Sequence, residues 1–514
     1  MLTSIENLPI NDSKTWELIA SGKTNGVFQC ESLLVQNWLS KIQPKNIWEL
    51  SIVIAGVRPA SLQSGAMDRY LKYKNDPSSI KKTGNETIDS ILKSTNFNIF
   101  FQEQLILLAQ RLAWKHLPEL ERLAKSDDLR KAVGKKDSAK ILAIGKEFTD
   151  GCIANGVNQE LADKLFNVLK NAGRYAFNLS HSISYAFVAY YTAYLKTHYP
   201  KQFFATYLSY SKEKIKPFYE LNKMAQDAKR FGIKILPPNI NKKNLEFSIE
   251  NDNIRYGLSH IKFIDNKFRD NIKNLKEIKS IADFLNFIIK GYFVDNEYIK
   301  PNCRCVQSLI ITGCFSDIGC SRNDLLNIAN LIDSLTKKEQ EGVITILDEC
   351  KDINSVPSII SKVAQHVSVK KRRPIIDSES KFLEKSLNKD DTEYFIEKSE
   401  KEYCGTIITG NLLGDKEKFS TRKCLELNDY SGDDNQFLIC VIDKVEIKVI
   451  KSGANKGKKM CTLSVHDSTG TLDNICIFSD IFANSSDIIR EDSIIQLTLN
   501  NKNGRWITRG ICTI

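Results

Sequence analysis

The chain has 514 residues, room for roughly three or four domains of about 100–200 residues each. Its 42% hydrophobic and 26% charged content excludes wholesale disorder. Lys and Arg total 73 against 62 Asp and Glu, so the formal charge is +11, a mild basic excess that suits a polyanionic partner without identifying one. The start, Met1-Leu2-Thr3-Ser4-Ile5-Glu6, lacks signal-peptide features, and no apolar run reaches the ~18 residues of a membrane span, so neither secretion nor a membrane partner is expected. Up to about residue 235 the pattern is helical. Residues 102–117 carry Leu105, Leu107, Leu108, Leu112 and Trp114 between polar residues, and residues 159–169 place Leu161, Leu165, Phe166 and Leu169 on one stripe. Tyr185, Phe187, Tyr190, Tyr191, Tyr194 and Tyr199 lie in a long apolar stretch at helical spacing, which reads as core before it reads as a base-stacking surface.

Pro237-Pro238 marks a break. Residues 245–258 then alternate as a short hairpin does, and short helices follow to about residue 337. Of the 13 cysteines none forms a C-x-x-C pair. Cys303, Cys305, Cys314 and Cys320 are spaced too irregularly for a zinc tetrahedron, so they read as small apolar residues and no metal site is expected. Residues 363–403 are charge-rich, with the basic run Lys370-Lys371-Arg372-Arg373-Pro374 followed by an acidic stretch, as in a linker or weakly packed connection. From about residue 425 the pattern becomes β: residues 437–442, 460–465 and 472–478 are strand candidates, separated by Gly453, Gly457 and Asp467-Ser468-Thr469-Gly470. Short strands with a cationic loop containing Lys451, Lys456, Lys458 and Lys459 suggest a small all-β OB-fold barrel with a groove for single strands. Alternation places Phe478 in its core and leaves Phe482 as a stacking face.

Several segments, in order, resemble the C-family replicative DNA polymerases of bacteria, the DNA polymerase III alpha subunits. Thr24-Asn25-Gly26-Val27-Phe28-Gln29-Cys30-Glu31-Ser32 is similar to T-x-G-V-F-Q-L-E-S, and Val57-Arg58-Pro59-Ala60-Ser61-Leu62-Gln63-Ser64-Gly65 to Y-R-P-G-P-L-x-S-G with its second proline lost. Phe101-Gln102-Glu103-Gln104 resembles Y-Q-E-Q, and Leu129-Arg130-Lys131-Ala132-Val133-Gly134-Lys135-Lys136 resembles L-R-R-A-M-G-K-K. Ala176-Phe177-Asn178-Leu179-Ser180-His181-Ser182-Ile183-Ser184-Tyr185 resembles G-F-N-K-S-H-x-x-x-Y. Tyr194 to Pro200, Ile235 to Asn241 and Glu400-Lys401-Glu402-Tyr403-Cys404-Gly405 also fit, the last to E-K-E-x-L-G.

The resemblance implies a multidomain α+β chain: mostly helical polymerase fingers over residues 1–235, a helical clamp- and duplex-binding region over 236–362 with a degenerate helix-hairpin-helix, a charged linker and connector over 363–424, and an OB-fold domain over 425–514. It places the metal carboxylates in a palm that precedes these segments, and no D-x-D pair occurs in this sequence. The expectation is therefore the C-terminal subunit of a split DNA-directed DNA polymerase, inactive alone. Its partners would be a palm-bearing chain that holds Mg2+, primer–template DNA, a dNTP, single-stranded DNA and a sliding clamp, in the cytoplasm of a bacterial cell, with a phage gene as one source. Arg130, Lys131, Lys135, Lys136, His181 and Tyr185 would contact the incoming nucleotide; Gln29, Glu31, Arg58, Arg174 and Asn178 the palm or template. The rival reading is a non-catalytic, polymerase-derived DNA-binding accessory protein, which has little use for residues 129–136 and 178–185. Departures are clear too. Leu179 stands where the family has lysine, and Arg174 sits in a one-residue insertion that could restore the charge. Phe263 and Asp265 replace hairpin glycines, so the duplex contact is expected to weaken. No Q-x-x-L/M-F pattern occurs between residues 330 and 400, which leaves a clamp contact implied by the family alone.

Overall fold

A computed structural model describes residues 4–135, 138–172, 176–349, 390–410, 413, 427, 437–450, 452–453, 455–467, 471–502 and 505–513. Lys136, Arg174, Lys451 and the basic run at 370–373 lie outside them. The chain divides into two compact units, Met1–Tyr199 and Pro200–Ile514.

The first unit is helical around two cores. Ile47–Gly56 is mostly apolar and is buried without interruption from Leu50 to Gly56. It packs on Leu179–His198, and the Ser182 hydroxyl donates to the Ser51 carbonyl at 2.7 Å. Asp12, Ser32, Asn46 and Asn178 each cap a helix by accepting an amide of its first turn. The stretch of aromatics expected as core divides along this helix. Tyr190 is fully buried, Tyr185, Tyr191 and Tyr194 pack on the core from its margin, and Tyr199 is exposed. The second core joins Glu86–Leu92, Gln102–Leu112, Glu119–Lys135, Ser138–Ala154 and Gln159–Ala172 around Trp114 and Phe148. Gly151 makes the close approach possible, since a Cβ there would lie 2.3 Å from the Ala113 carbonyl oxygen.

The second unit begins with helices Pro200–Tyr210 and Pro217–Arg230. The expected hairpin is present: β2 (Ser248–Glu250) pairs antiparallel with β3 (Asn253–Arg255), and β3 pairs parallel with β1 (Ile235–Leu236). Short helices follow, interrupted by the ribbon of β4 (Tyr292–Val294) and β5 (Glu297–Ile299). Within the acidic stretch, Glu393–Cys404 is a helix capped by Thr392, with Glu397, Ser399, Glu400 and Cys404 buried.

The last element is a closed five-stranded barrel. Its strands are β6 (Leu438–Val449), β7 (Lys459–His466), β8 (Thr471–Ile477), β9 (Ile494–Lys502) and β10 (Arg505–Thr513), in the order β10-β8-β7-β6-β9. Closure is by the parallel pairing of β10 with β8. Alternate residues such as Cys461, Leu463 and Val465 fill its interior. The two phenylalanines are the reverse of expectation. β8 ends at Ile477, so alternation stops one residue short of Phe478, which precedes helix Ser479–Ser485 and is 46% exposed; Phe482 joins the barrel core instead. Among the described residues no helix is long and apolar enough to cross a membrane.

Candidate nucleic-acid interface

Two of the singled-out segments meet in the first unit. Phe101 and Phe177 form an isolated parallel bridge: the Phe177 amide donates to the Phe100 carbonyl at 2.8 Å and the Gln102 amide to the Phe177 carbonyl at 2.9 Å. Glu103 locks the junction. Its carboxylate accepts from Asn178 Nδ2 at 3.0 Å and from the Leu179 amide at 2.9 Å, while Asn178 Oδ1 caps the His181 amide at 2.8 Å. Leu179, which replaces the expected lysine, packs against the core. A row of rings follows. The Arg58 guanidinium lies 3.7 Å from the Phe177 centroid, Phe177 meets His181 edge-on at 5.3 Å, His181 lies 3.9 Å from Tyr185 with the rings tilted by 42°, and Tyr185 meets Phe28 at 5.0 Å. His181 is exposed and its neighbours are half-buried, so the row forms a surface. Partial burial of Arg58 lowers its pKa, since desolvation disfavours the charged guanidinium.

Arg130 belongs to the same cluster. It lies on helix Glu119–Lys135, donates Nη1 to Gln102 Oε1 at 3.3 Å and Nε to Asp127 at 2.7 Å, and Gln102 Nε2 in turn donates to the Ala176 carbonyl at 3.2 Å. Lys131 reaches the other oxygen of Asp127 at 2.7 Å. Its hydrogen bonds to Lys131 and Arg130 hold the Asp127 carboxyl below its usual range despite partial burial. Asp127 thus offsets one of the two cations and fixes the direction of Arg130. Sequence reading missed it, although its spacing of three and four residues from the cations is a helical-pair signal. Lys135 is the last residue of that helix. Asp127 and Glu103 are both committed to donors of the protein, so this cluster does not fit a divalent cation.

Gln29 and Glu31 lie on a turn held from the opposite end of the unit. Lys196, buried on helix Leu179–His198, donates to the Lys23 and Asn25 carbonyls at 3.0 and 2.7 Å, and the Phe28 amide donates to Thr192 Oγ1 at 3.1 Å. Gln29 is exposed with φ of 58°. This backbone conformation directs the turn that puts Phe28 beside Tyr185.

In the second unit, the degenerate hairpin keeps a glycine-like backbone without a glycine. Phe263 has φ of 66°, its ring lies 3.6 Å from the Arg304 guanidinium carbon, and Lys262 Nζ is 5.1 Å from the same ring. The Lys262 amide donates to the Tyr403 carbonyl at 2.9 Å and is occupied within the protein. Asp265 caps the next helix through the Phe268 amide. On the barrel, Lys456 and Lys458 on the turn from β6 to β7 and Lys459 at the start of β7 are exposed. The turn is closed by the Ile450 amide donating to the Lys458 carbonyl and the Gly457 amide to the Ile450 carbonyl, with Gly453 and Gly457 both at φ of 87°. Lys458 Nζ lies 3.8 Å from Asp480.

Buried charge connects the barrel to helix Glu393–Cys404. His466 on β7 reaches Asp443 on β6 through Nδ1 at 2.5 Å and Glu397 through Nε2 at 3.3 Å; Lys401 pairs with Asp443. Glu400, fully buried, accepts from Arg322 Nη2 at 2.9 Å and from the amides of Ile408 and Thr409 at 2.6 and 2.8 Å.

Comparison with known proteins bears on these segments directly. Residues 2–156 match the bacterial DNA polymerase III alpha subunit finger domain, and residues 232–325 match a helix-hairpin-helix motif. The chain is 29% identical to the DNA polymerase III subunit alpha of Aquifex aeolicus over 95% of its own length and 37% of that protein's. It is 26% identical to that of Chlamydia muridarum over 97% of its length and 38% of the relative, and 32% identical to that of Campylobacter jejuni over 65% and 27%. It therefore spans well under half the length of these relatives. Over that span the chain is a relative of the DNA polymerase III alpha subunits, corresponding to a C-terminal part that carries the finger domain, the helix-hairpin-helix motif and a terminal β-barrel.

Proposed function

We propose that this chain supplies the incoming-nucleotide and primer–template contacts of a DNA-directed DNA polymerase in replication, while a second, palm-bearing chain holds the Mg2+ ions. The observation that carries the reading is the junction of residues 101–104 with 177–185, which links the row of Arg58, Phe177, His181 and Tyr185 to Arg130 through Gln102. Bound Mg2+ would activate the primer hydroxyl and stabilise the leaving pyrophosphate. This chain's part is electrostatic and positional. Arg130, aimed by Asp127 and Gln102, offers a fixed guanidinium to the triphosphate, with Lys131, Lys135 and Lys136 adding charge. The row from Phe177 to Tyr185 gives the nascent base pair an aromatic neighbour. Gln29, Glu31, Arg58, Arg174 and Asn178 are proposed to face the palm or the template. The exposed lysines between β6 and β7, with Lys451, are proposed to contact single-stranded DNA. Primer-extension assays test the arrangement. The purified chain should extend no primer with any divalent metal, and addition of a palm-bearing chain should restore templated synthesis. Extension by the chain alone, surviving a control for host polymerase, refutes it.

A further inference from the structure

Helix Pro217–Arg230 lies against the barrel through its C-terminal half, where Gln226 Oε1 accepts from the Thr471 amide at 2.9 Å. Its first turn stays open. Between that turn and the outer face of β6, β7 and β8 lies a cleft of about 320 Å³, within the size range of small-ligand sites. Lys216 and Tyr219 line it from the helix side, Lys444 and Glu446 from β6, Ser464 from β7 and Asp473 from β8. The lining charges balance, two lysines against two carboxylates, which disfavours a free phosphate as occupant. Glu446 is committed to Lys444 at 2.5 Å and Lys448 at 3.2 Å, so the carboxylate presented to a ligand is that of Asp473. Tyr219 is 52% exposed, and partial burial and the nearby Asp473 both raise its phenol pKa. An aromatic face beside a hydrogen-bond acceptor is what an unpaired base with an exocyclic amino group requires.

We propose that this cleft takes one unpaired nucleobase of single-stranded DNA, stacked on Tyr219 and donating its exocyclic amino group to Asp473. The inference rests on the barrel's proposed role in single-strand binding, and it adds a base preference that a cationic loop alone does not give. Thymine has no such amino group.

The test titrates the full chain with fluorescent oligo(dC) and oligo(dT) at several salt concentrations. Oligo(dC) should bind roughly tenfold more tightly, as expected for a hydrogen bond to a charged acceptor. Tyr219→Ala should weaken binding of oligo(dC) about 5- to 150-fold, the range for loss of one base–aromatic stack, and Tyr219→Phe should not. Asp473→Ala should bring the two oligonucleotides to equal affinity. In parallel, replacing Lys456, Lys458 and Lys459 by Ala should flatten the salt slope by about 2, at ~0.7 per phosphate contact. If that slope flattens while Tyr219→Ala and Asp473→Ala change nothing, the loop reading stands and the cleft is overturned. If neither oligonucleotide binds at low salt, both are overturned.

Discussion

Glu400→Ala should destabilise the Pro200–Ile514 unit by about 3–5 kcal/mol, the cost of stranding one partner of a buried ion pair. Glu400 is fully buried and holds, besides Arg322, the Thr409 hydroxyl and the amides of Ile408, Thr409 and Gly410. Arg322 is only 12% exposed at its side chain, and it also donates to the Ile311 carbonyl at 3.0 Å and to Thr409 Oγ1 at 3.0 Å. Alanine leaves the guanidinium without its counter-charge and the amides without an acceptor. At about 2–3 °C per kcal/mol for a unit of this size, the transition should fall by roughly 6–15 °C in calorimetry of the full chain. Arg322→Met combined with Glu400→Ala should lose less than the sum of the single changes, because neither charge is then stranded. A loss below about 1 kcal/mol for Glu400→Ala, or strict additivity in the double variant, refutes the reasoning.

In the reconstituted polymerase, Arg130→Ala should reduce kcat/KM for the nucleotide roughly 10- to 150-fold with little change in DNA affinity; a loss confined to DNA binding would make Arg130 a template contact. His466 carries a raised pKa, because Asp443 and Glu397 outweigh the burial that opposes its charge. With the folded value above the unfolded one, its contribution is complete below the ordinary imidazole range and is lost as pH rises through the folded pKa. His260 shifts the opposite way, lowered by burial despite Glu246. The difference between wild type and His466→Gln across pH 5–9 should therefore be largest at the acid end; a pH-independent difference would count against the buried network.

Much of the fold was legible because its signals are local. The β2–β3 hairpin, the helical stripes and the barrel strands follow from alternation and spacing within a few residues. Phe478 failed for a local reason too, since a strand end one residue earlier reverses which side chain is core. The interface was less legible. Arg130, His181 and Tyr185 were singled out through the family resemblance, and Gln102 and Glu103 lay in its Y-Q-E-Q segment without a role; Asp127, which fixes Arg130, is an ordinary polar residue until the chain is folded. Glu400 lies in a charged stretch that reads as solvated, and burial by Arg322 and the loop after Gly405 is a tertiary fact. Its only trace in the sequence was the E-K-E-x-L-G resemblance.

The Phe101–Phe177 bridge has a kinetic consequence. The Asn178 and Leu179 contacts to Glu103 span 75 and 76 residues, and helices Glu119–Lys135, Ser138–Ala154 and Gln159–Ala172 lie inside that loop. Closing so long a segment costs chain entropy before any contact compensates it, so the intervening helices must dock first and bring the ends together. The row of rings and its arginines should then be assembled late in folding. Substitutions in Glu103 or Asn178 should chiefly accelerate unfolding, whereas those in Phe148 or Trp114, inside the loop's own core, should slow folding. A chain caught early in folding would have its second core formed and its candidate site still unmade.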